Sequence, residues 1–223
     1  MSMIVPTILT NDKNLYMRQY EAYSKFAKRI QVDISDGIFS PTLTMDESNA
    51  WRQQGWAALD LHMMVMNPSQ HLPTILKLKP SLVIFHAETN ENLLPIFATL
   101  KQAGISSGVA ILKQTYPGKI APYIQAVDHV LIFAGQLGQQ GGQADMLQTE
   151  KVPIIRSIKS EVEIGWDGGA NLANTRALAH SGIDVINVGS AIATAPDPAK
   201  MFADLTAEMD KTGVVISWRA SLA

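Results

Sequence analysis

The stretch Ile30-Gln31-Val32-Asp33-Ile34-Ser35-Asp36-Gly37 has the pattern of a short β-strand that ends at an acidic residue and a glycine. Alternation along a strand places Gln31, Asp33 and Ser35 on one face and the isoleucine and valine residues on the other. Seven similar short apolar runs occur along the chain: Ile4–Leu9, Ala58–Val65, Leu82–His86, Gly108–Leu112, His129–Phe133, Val162–Trp166 and Val185–Val188. This recurrence predicts a sheet of eight short, buried strands.

Helical patterns separate many of these runs. Their apolar residues recur every three or four positions, which predicts helices over five segments. These segments are Leu15–Lys28, Ser69–Lys79, Asn92–Ala103, Asn171–His180 and Pro198–Lys211. Asn171 and Asp197 are predicted to cap helix N-termini, and Gly104 and Gly182 are predicted to end helices.

Eight strands that alternate with helices or long turns predict parallel βα units, and the spacing fits a minimal (β/α)8 TIM barrel of the α/β class. A doubly wound open sheet is the alternative, because periodicity does not distinguish a closed sheet from an open one. No change of composition divides the chain. We therefore expect one domain over residues 1–223, with residues 213–223 as a C-terminal tail.

Composition excludes several classes of function. The 223 residues include 18 basic and 20 acidic side chains, so a formal charge of −2 gives no basic surface for a nucleic acid. The absence of cysteine excludes disulfides, thiol nucleophiles and iron–sulfur ligation. No apolar run is long enough to span a membrane, and the first residues lack a signal-peptide pattern. The default expectation is a cytoplasmic protein with a small-molecule partner, and the pattern leaves a homo-oligomer open.

Reactive side chains fall at the C-terminal ends of the predicted strands, where barrel enzymes carry their chemistry. Asp33 points inward beside Gln31, His62 lies inward on the third strand, and Asp167 ends the seventh. A lone aspartate at a strand end often only caps a turn, and a lone histidine is more often a core residue. Three such residues at one end of a barrel favour a site in which Asp33 and Asp167 approach a ligand from opposite sides.

Glycine-rich loops follow the later strands. Gly141-Gly142, Gly168-Gly169 and Gly189-Ser190 come after strands six, seven and eight, and the loops after strands seven and eight are the usual phosphate site of this architecture. Glycine lets backbone N–H groups approach an anion, although each pair alone could be an ordinary turn. We expect an anion at Gly142, Gly168, Gly169, Gly189 and Ser190. The histidines at positions 71, 129 and 180 are interpreted as surface or helix-end residues, and His86 as either structural or part of the site.

Seven motifs resemble those of the ribulose-phosphate 3-epimerase family, in the same order and over nearly the whole barrel. The segment 6–10 is similar to the family's Pro-Ser-Ile-Leu-Ser, with Thr7 at the serine, and 32–37 to its Val-Asp-Val-Met-Asp-Gly. The other matching segments are 60–65 with Asn67-Pro68, then 86–88, 141–143, 167–169 and 189–191.

The resemblance implies an isomerase that epimerises a phosphorylated ketose of the pentose phosphate type through an enediolate. The two family aspartates correspond to Asp33 and Asp167, and Thr7 and His62 fall among the substrate-binding positions. The family also implies a divalent zinc or iron ion, for which Asp33, His62 and Asp167 are the matching ligands.

The sequence departs from the family pattern around the site. Gln31 stands where the family has a ligand histidine, Ser35 replaces a methionine, and the loop 134–140 replaces the family's Asn-Pro-Gly-Phe run. We expect a weak or empty metal site, because an amide oxygen is a poorer zinc ligand than imidazole.

Two hypotheses follow from these departures: an epimerase-like enzyme, or a sugar-phosphate-binding barrel that is non-catalytic or acts differently. Retention of both aspartates favours the enzyme. Aldol cleavage is a weaker third option, since Lys113 and Lys159, the candidate Schiff-base lysines, lie outside the matched motifs.

Overall fold

A computed structural model describes residues 2–50, 53, 55–138 and 141–212. Eight parallel strands close into a barrel in chain order, with β1 hydrogen-bonded to both β2 and β8. The strands are β1 Met3–Ile8, β2 Arg29–Ser35, β3 Ala58–Met64, β4 Leu82–His86, β5 Ser106–Ile111, β6 His129–Phe133, β7 Glu163–Asp167 and β8 Val185–Val188. The closed (β/α)8 barrel is confirmed, and the open-sheet alternative is excluded. The predicted tail, residues 213–223, lies outside the described residues.

The helices surround the barrel. They are α1 Lys13–Ser24, α2 Leu72–Leu78, α3 Leu94–Gln102, α4 Ala121–Ala126, α5 Lys151–Ile158, α6 Thr175–His180, α7 Ser190–Ala193 and α8 Pro198–Met209. Asp197 caps α8 as predicted, by accepting a hydrogen bond from the Lys200 N–H at 2.9 Å. The predicted cap at Asn171 is wrong: its side chain closes a turn at Ala173, and the helix begins four residues later.

The two faces of the strands have different surroundings. Outward-facing strand residues pack against the helices in one large apolar core. Inside the ring, Leu82, Ile84, Ala110 and Leu131 form a separate apolar cluster on β4, β5 and β6. The inward positions of β2, β3 and β7 carry mostly polar side chains instead. The polar part of the barrel interior is therefore formed by the three strands that carry Asp33, His62 and Asp167.

An ion-pair network closes the N-terminal end of the barrel. Arg29 pairs with Asp60 and with Glu163, each at 2.8 Å, and His129 Nδ1 lies 2.7 Å from the Glu163 carboxylate. Only 1% of His129 is exposed, so its interpretation as a surface or helix-end residue is wrong. Gly165 makes room for this buried ring, because a Cβ at that position would lie 2.4 Å from His129 Nε2.

Candidate active site

Strand pairing brings the two predicted aspartates together. Asp33 lies at the inward face of β2 in register with His62 on β3, and Asp167 ends β7. His62 Nδ1 lies 3.1 Å from Asp33 Oδ1 and 3.6 Å from Asp167 Oδ2. The structure thus places His62 beside Asp33, with both carboxylates directed into the barrel, as the strand alternation predicts.

Gln31 links the two carboxylates. Its side-chain Nε2 donates hydrogen bonds to Asp33 Oδ1 at 2.9 Å and to Asp167 Oδ2 at 2.6 Å. Only 1% of Gln31 is exposed, so water does not compete with these bonds. Hydrogen bonds to a charged acceptor are about twice as strong as neutral ones. The Gln31 amide therefore fixes the separation of the two aspartates.

Electrostatics favour retention of a proton within this group. Burial, together with the nearby charge of Asp33, raises the pKa of Asp167 to about 7. Burial opposes a charge on His62, but its hydrogen bond to Asp33 and the charges of both aspartates raise its pKa above the ordinary value. A carboxyl group that holds a proton near neutral pH, next to a second carboxylate, suits proton transfer in both directions.

A second histidine, His86 at the end of β4, lies behind His62. The two Nε2 atoms are 2.8 Å apart, so one ring nitrogen must donate and the other must accept. Burial lowers the pKa of His86 to about 4, aided by the nearby His62, which makes His86 the neutral acceptor. His86 Nδ1 then faces Glu88 Oε2 at 3.6 Å. His86 orients His62 and does not line the pocket.

Asp33, His62 and Asp167 can hold a divalent ion. Each offers one ligand atom, and the three atoms lie within 4.8 Å of one another. Two of their separations, 3.1 and 3.6 Å, suit ligands spaced around an ion at about 2.0–2.2 Å. The next side chain, Gln31, presents N–H groups to these oxygens, and an N–H group has no lone pair for a metal. The three residues fit an ion, and Gln31 as oriented adds no fourth ligand.

A pocket opens above this group at the C-terminal end of the barrel. It is lined by the two aspartates and by all but two of the predicted binding residues, together with residues that the sequence did not single out. The predicted lining residues are Thr7, Asp33, Asp167, Gly168, Gly169, Gly189 and Ser190, and Gly141 of the Gly141-Gly142 pair also lines the pocket; the added ones include Met64, Phe133, Gly135, Gly138 and Asn187.

The two exceptions are Gly142 and His62. Gly142 is exposed beside the lining residue Gly141, and His62 is fully buried beneath the pocket. Asn187 lies in register with Asp167 on the neighbouring strand. The alternation of inward and outward positions along β8 could have identified it from the sequence.

Unused hydrogen-bonding groups line the pocket. Among the described residues, the backbone N–H groups of Gly168, Gly169 and Gly189 donate to no other protein group. The hydroxyl of Thr7 is buried without a partner. A buried hydroxyl is normally paired, and together with the three half-buried N–H groups it is available to a ligand.

Comparison with known proteins matches residues 3–193 to the Ribulose-phosphate 3 epimerase family. The chain belongs to this family. The cytoplasmic isoform of ribulose-phosphate 3-epimerase from Oryza sativa subsp. japonica is 30% identical over 210 residues, covering 91% of this chain and 92% of that protein. The ribulose-phosphate 3-epimerase of Schizosaccharomyces pombe is 26% identical over 223 residues, covering 96% and 97%. The resemblance and the enzyme class inferred from the sequence are confirmed.

Solved structures agree on the fold. A 3-hexulose-6-phosphate synthase from Salmonella typhimurium superposes with a TM-score of 0.68 at 17% identity, covering 93% of this chain and 98% of that one. Orotidine 5′-phosphate decarboxylase from Pyrococcus horikoshii gives 0.66 at 15% identity, covering 94% and 100%. At such identities the likeness shows the barrel alone. Among the described residues, no helix is long and apolar enough to cross a membrane.

Proposed function

We propose that the chain epimerises a phosphorylated ketose at C3, of the ribulose 5-phosphate and xylulose 5-phosphate type. The observation that carries this proposal is the convergence of Asp33 and Asp167 on one pocket from strands β2 and β7. An epimerisation needs one group to remove a proton from one face of the carbon and another to supply a proton to the opposite face. The names of the relatives agree with this substrate class.

In the proposed reaction, a carboxylate oxygen of Asp33 takes the C3 proton, and the electron pair moves into the carbonyl to form an enediolate. Asp167 then gives its proton to C3 on the other face, and the roles reverse in the opposite direction. His62 orients Asp33, and His86 orients His62. A divalent ion, when bound to Asp33, His62 and Asp167, would stabilise negative charge on the substrate oxygens.

The phosphate group is assigned to the rim of the pocket. Among the described residues the N–H groups of Gly168, Gly169 and Gly189 have no protein acceptor, so they can supply hydrogen bonds without a basic side chain, and glycine allows the close approach of an anion. Gly142 and Ser190 lie on the same loops. The free hydroxyl of Thr7, deeper in the pocket, is placed to contact a sugar oxygen.

We also infer that the metal is held weakly. Structural zinc sites have four protein ligands and catalytic ones three, so the three residues here provide only the smaller set. The carboxylates here already accept hydrogen bonds from Gln31, which lowers their availability to an ion. We expect the purified protein to contain well under one equivalent of zinc or iron.

The test is exchange of the C3 proton in deuterated water, with ribulose 5-phosphate and xylulose 5-phosphate as separate substrates. The native protein should interconvert them and incorporate deuterium at C3. Asp33→Asn and Asp167→Asn should each reduce interconversion by roughly 10²–10⁴-fold, the usual contribution of a general acid or base. Asp210→Asn, an exposed position at the end of α8, is the matched control.

The same two variants test whether Asp33 and Asp167 act on opposite faces of C3. Each keeps one carboxylate, so each should still exchange the proton of the one epimer that faces that carboxylate, without inverting it. The two variants should differ in which epimer they exchange. If both exchange the same epimer, the two-face assignment is wrong. If the native protein binds the sugar phosphate but exchanges neither, the chain is a binding protein.

A further inference from the structure

We propose that Gln31 is a positioning residue that clamps the two aspartates and organises the site without a metal ion, so that a metal must displace the Gln31 hydrogen bonds in order to bind. The clamp consists of the two hydrogen bonds from Nε2, 2.9 Å to Asp33 and 2.6 Å to Asp167. These bonds are made by the protein alone. Only the catalytic consequence of the clamp rests on the proposed function.

The orientation of the amide follows from the groups that face it. An ionised carboxylate has only acceptor oxygens, and the amide has an acceptor at Oε1 and two donors at Nε2. If Oε1 faced the aspartates, it would lie against the ionised oxygen of Asp33, and two acceptors would meet in a buried group with no proton between them. With Nε2 facing them, each of the two amide hydrogens has one carboxyl partner. The Gln31 side chain thus bridges the two carboxyl groups.

The backbone reinforces this arrangement. Gln31 and Asp33 are two residues apart on β2, so strand alternation points both side chains to the same side. Gln31 is paired in register with Thr7 on β1 and Asp60 on β3, which places it in the middle of the barrel wall. A side chain anchored in this way keeps its amide beneath Asp33 and Asp167 with little freedom to leave.

The clamp and a bound metal ion require opposite orientations of the Gln31 amide. An ion requires lone pairs, so Gln31 could bind it only by turning its amide to present Oε1, which breaks both hydrogen bonds to the aspartates. If Gln31 stayed as it is, the ion would instead compete with the N–H groups for the same carboxylate oxygens. On either route, Gln31 opposes metal binding in its native orientation.

Metal affinity in variants of Gln31 distinguishes a clamp from a ligand. Gln31→Met keeps a similar length but has neither donor nor amide oxygen, and Gln31→His adds an imidazole. Zn²⁺ alone is titrated by calorimetry into the metal-stripped proteins, and Co²⁺ absorption reports the ligand geometry. A clamp predicts that Gln31→Met binds Zn²⁺ about tenfold or more tightly than the native protein, with Gln31→His the tightest. If Gln31 is a ligand through Oε1, Gln31→Met binds more weakly than the native protein, and the proposal fails.

A second readout begins with the native protein, whose fold no substitution has changed. In the metal-stripped native protein, ¹⁵N NMR should show one glutamine side-chain amide that is strongly shifted and exchanges slowly with water. Asp167→Asn should move this signal toward ordinary values. A Gln31 amide that exchanges as fast as the exposed glutamines would overturn the proposal. Failure of the native protein to exchange the C3 proton would reject the proposed function while leaving these two measurements to decide on the clamp.

Discussion

Replacement of Gly168 by alanine tests whether close packing of two loops shapes the pocket. Gly168 has a φ of +121°, and a Cβ on it would lie 2.1 Å from the Gly135 nitrogen and 2.5 Å from the Gly135 Cα. Both obstacles are backbone atoms, which cannot rotate away. The loop after β7 is held in place on either side, because Asp167 O accepts from the Ala134 N–H at 2.7 Å and Gly168 O accepts from Trp166 Nε1 at 3.0 Å.

Two penalties add in this variant. A residue other than glycine in such a backbone conformation costs on the order of 1–3 kcal/mol. Overpacking against neighbours that cannot yield costs typically another 1–3 kcal/mol. We expect Gly168→Ala to lose roughly 2–6 kcal/mol of stability, at about 2–4 °C of melting temperature per kcal/mol for a chain of this size. The KM for a sugar phosphate should also rise, because relief of the clash separates the loops that line the pocket.

Gly142→Ala is the matched control. Gly142 also has a positive φ, +95°, but a Cβ there would meet nothing within 4 Å. This variant bears only the conformational penalty, and should melt well above Gly168→Ala. Thermal and urea unfolding of the two variants and the native protein supply the comparison. Equal destabilisation of both, or a Gly168→Ala protein within about 2 °C of the native one, would refute the steric reasoning.

Two further predictions concern charge at opposite ends of the barrel. Burial opposes the charge of Glu163, but hydrogen bonds and ion pairs with His129 and Arg29 lower its pKa to about 2. The ionised Glu163 therefore stabilises the folded protein fully above its ordinary pKa near 4.5, and this stabilisation is lost as pH falls from about 4.5 to 2. Glu163→Gln should therefore unfold at lower denaturant concentration than the native protein at pH 7, with the gap narrowing over that acid range; a gap independent of pH would contradict it. At the other end, sulfate soaked into crystals should bind over Gly168 and Gly189, and density only at another surface would contradict the phosphate assignment.

Strand alternation was sufficient to predict that Asp33 and Asp167 point into the same end of the barrel. The inward positions of Asp33 and Asp167 follow from the period of two along β2 and from the end of β7. What the sequence could not supply was the bonding between them. The contact between Gln31 and Asp167 joins residues 136 positions apart, and its existence depends on closure of the barrel. The family resemblance implied that Gln31 stands at a metal-ligand position, and only the folded geometry shows which groups its amide bonds.

Three helices were not predicted from the sequence: α7, which has only four residues, and α4 and α5. Helices α4 and α5 are only six and eight residues long and carry proline near their starts, at Pro122 and Pro153. Each is preceded by a short 3₁₀ segment, so neither shows a long amphipathic period. His129 was misjudged for a different reason. A histidine that opens a strand looks exposed in sequence, and its burial depends on Glu163 across the sheet and on the missing side chain of Gly165.

The loop after β6 contacts the loops after β2 and β7 through Gly135 and Gly138. Gly135 packs against the loop after β7, where a Cβ would lie 3.1 Å from the Gly168 Cα. Gly138 accepts a hydrogen bond from Thr42 Oγ1 at 2.5 Å, and a Cβ on it would lie 2.6 Å from Ser40 Oγ. The loop thus joins the loops after β2 and β7, the two strands that carry the paired aspartates. A side chain at either position would be crowded, so the close packing of these three loops depends on glycine at both Gly135 and Gly138.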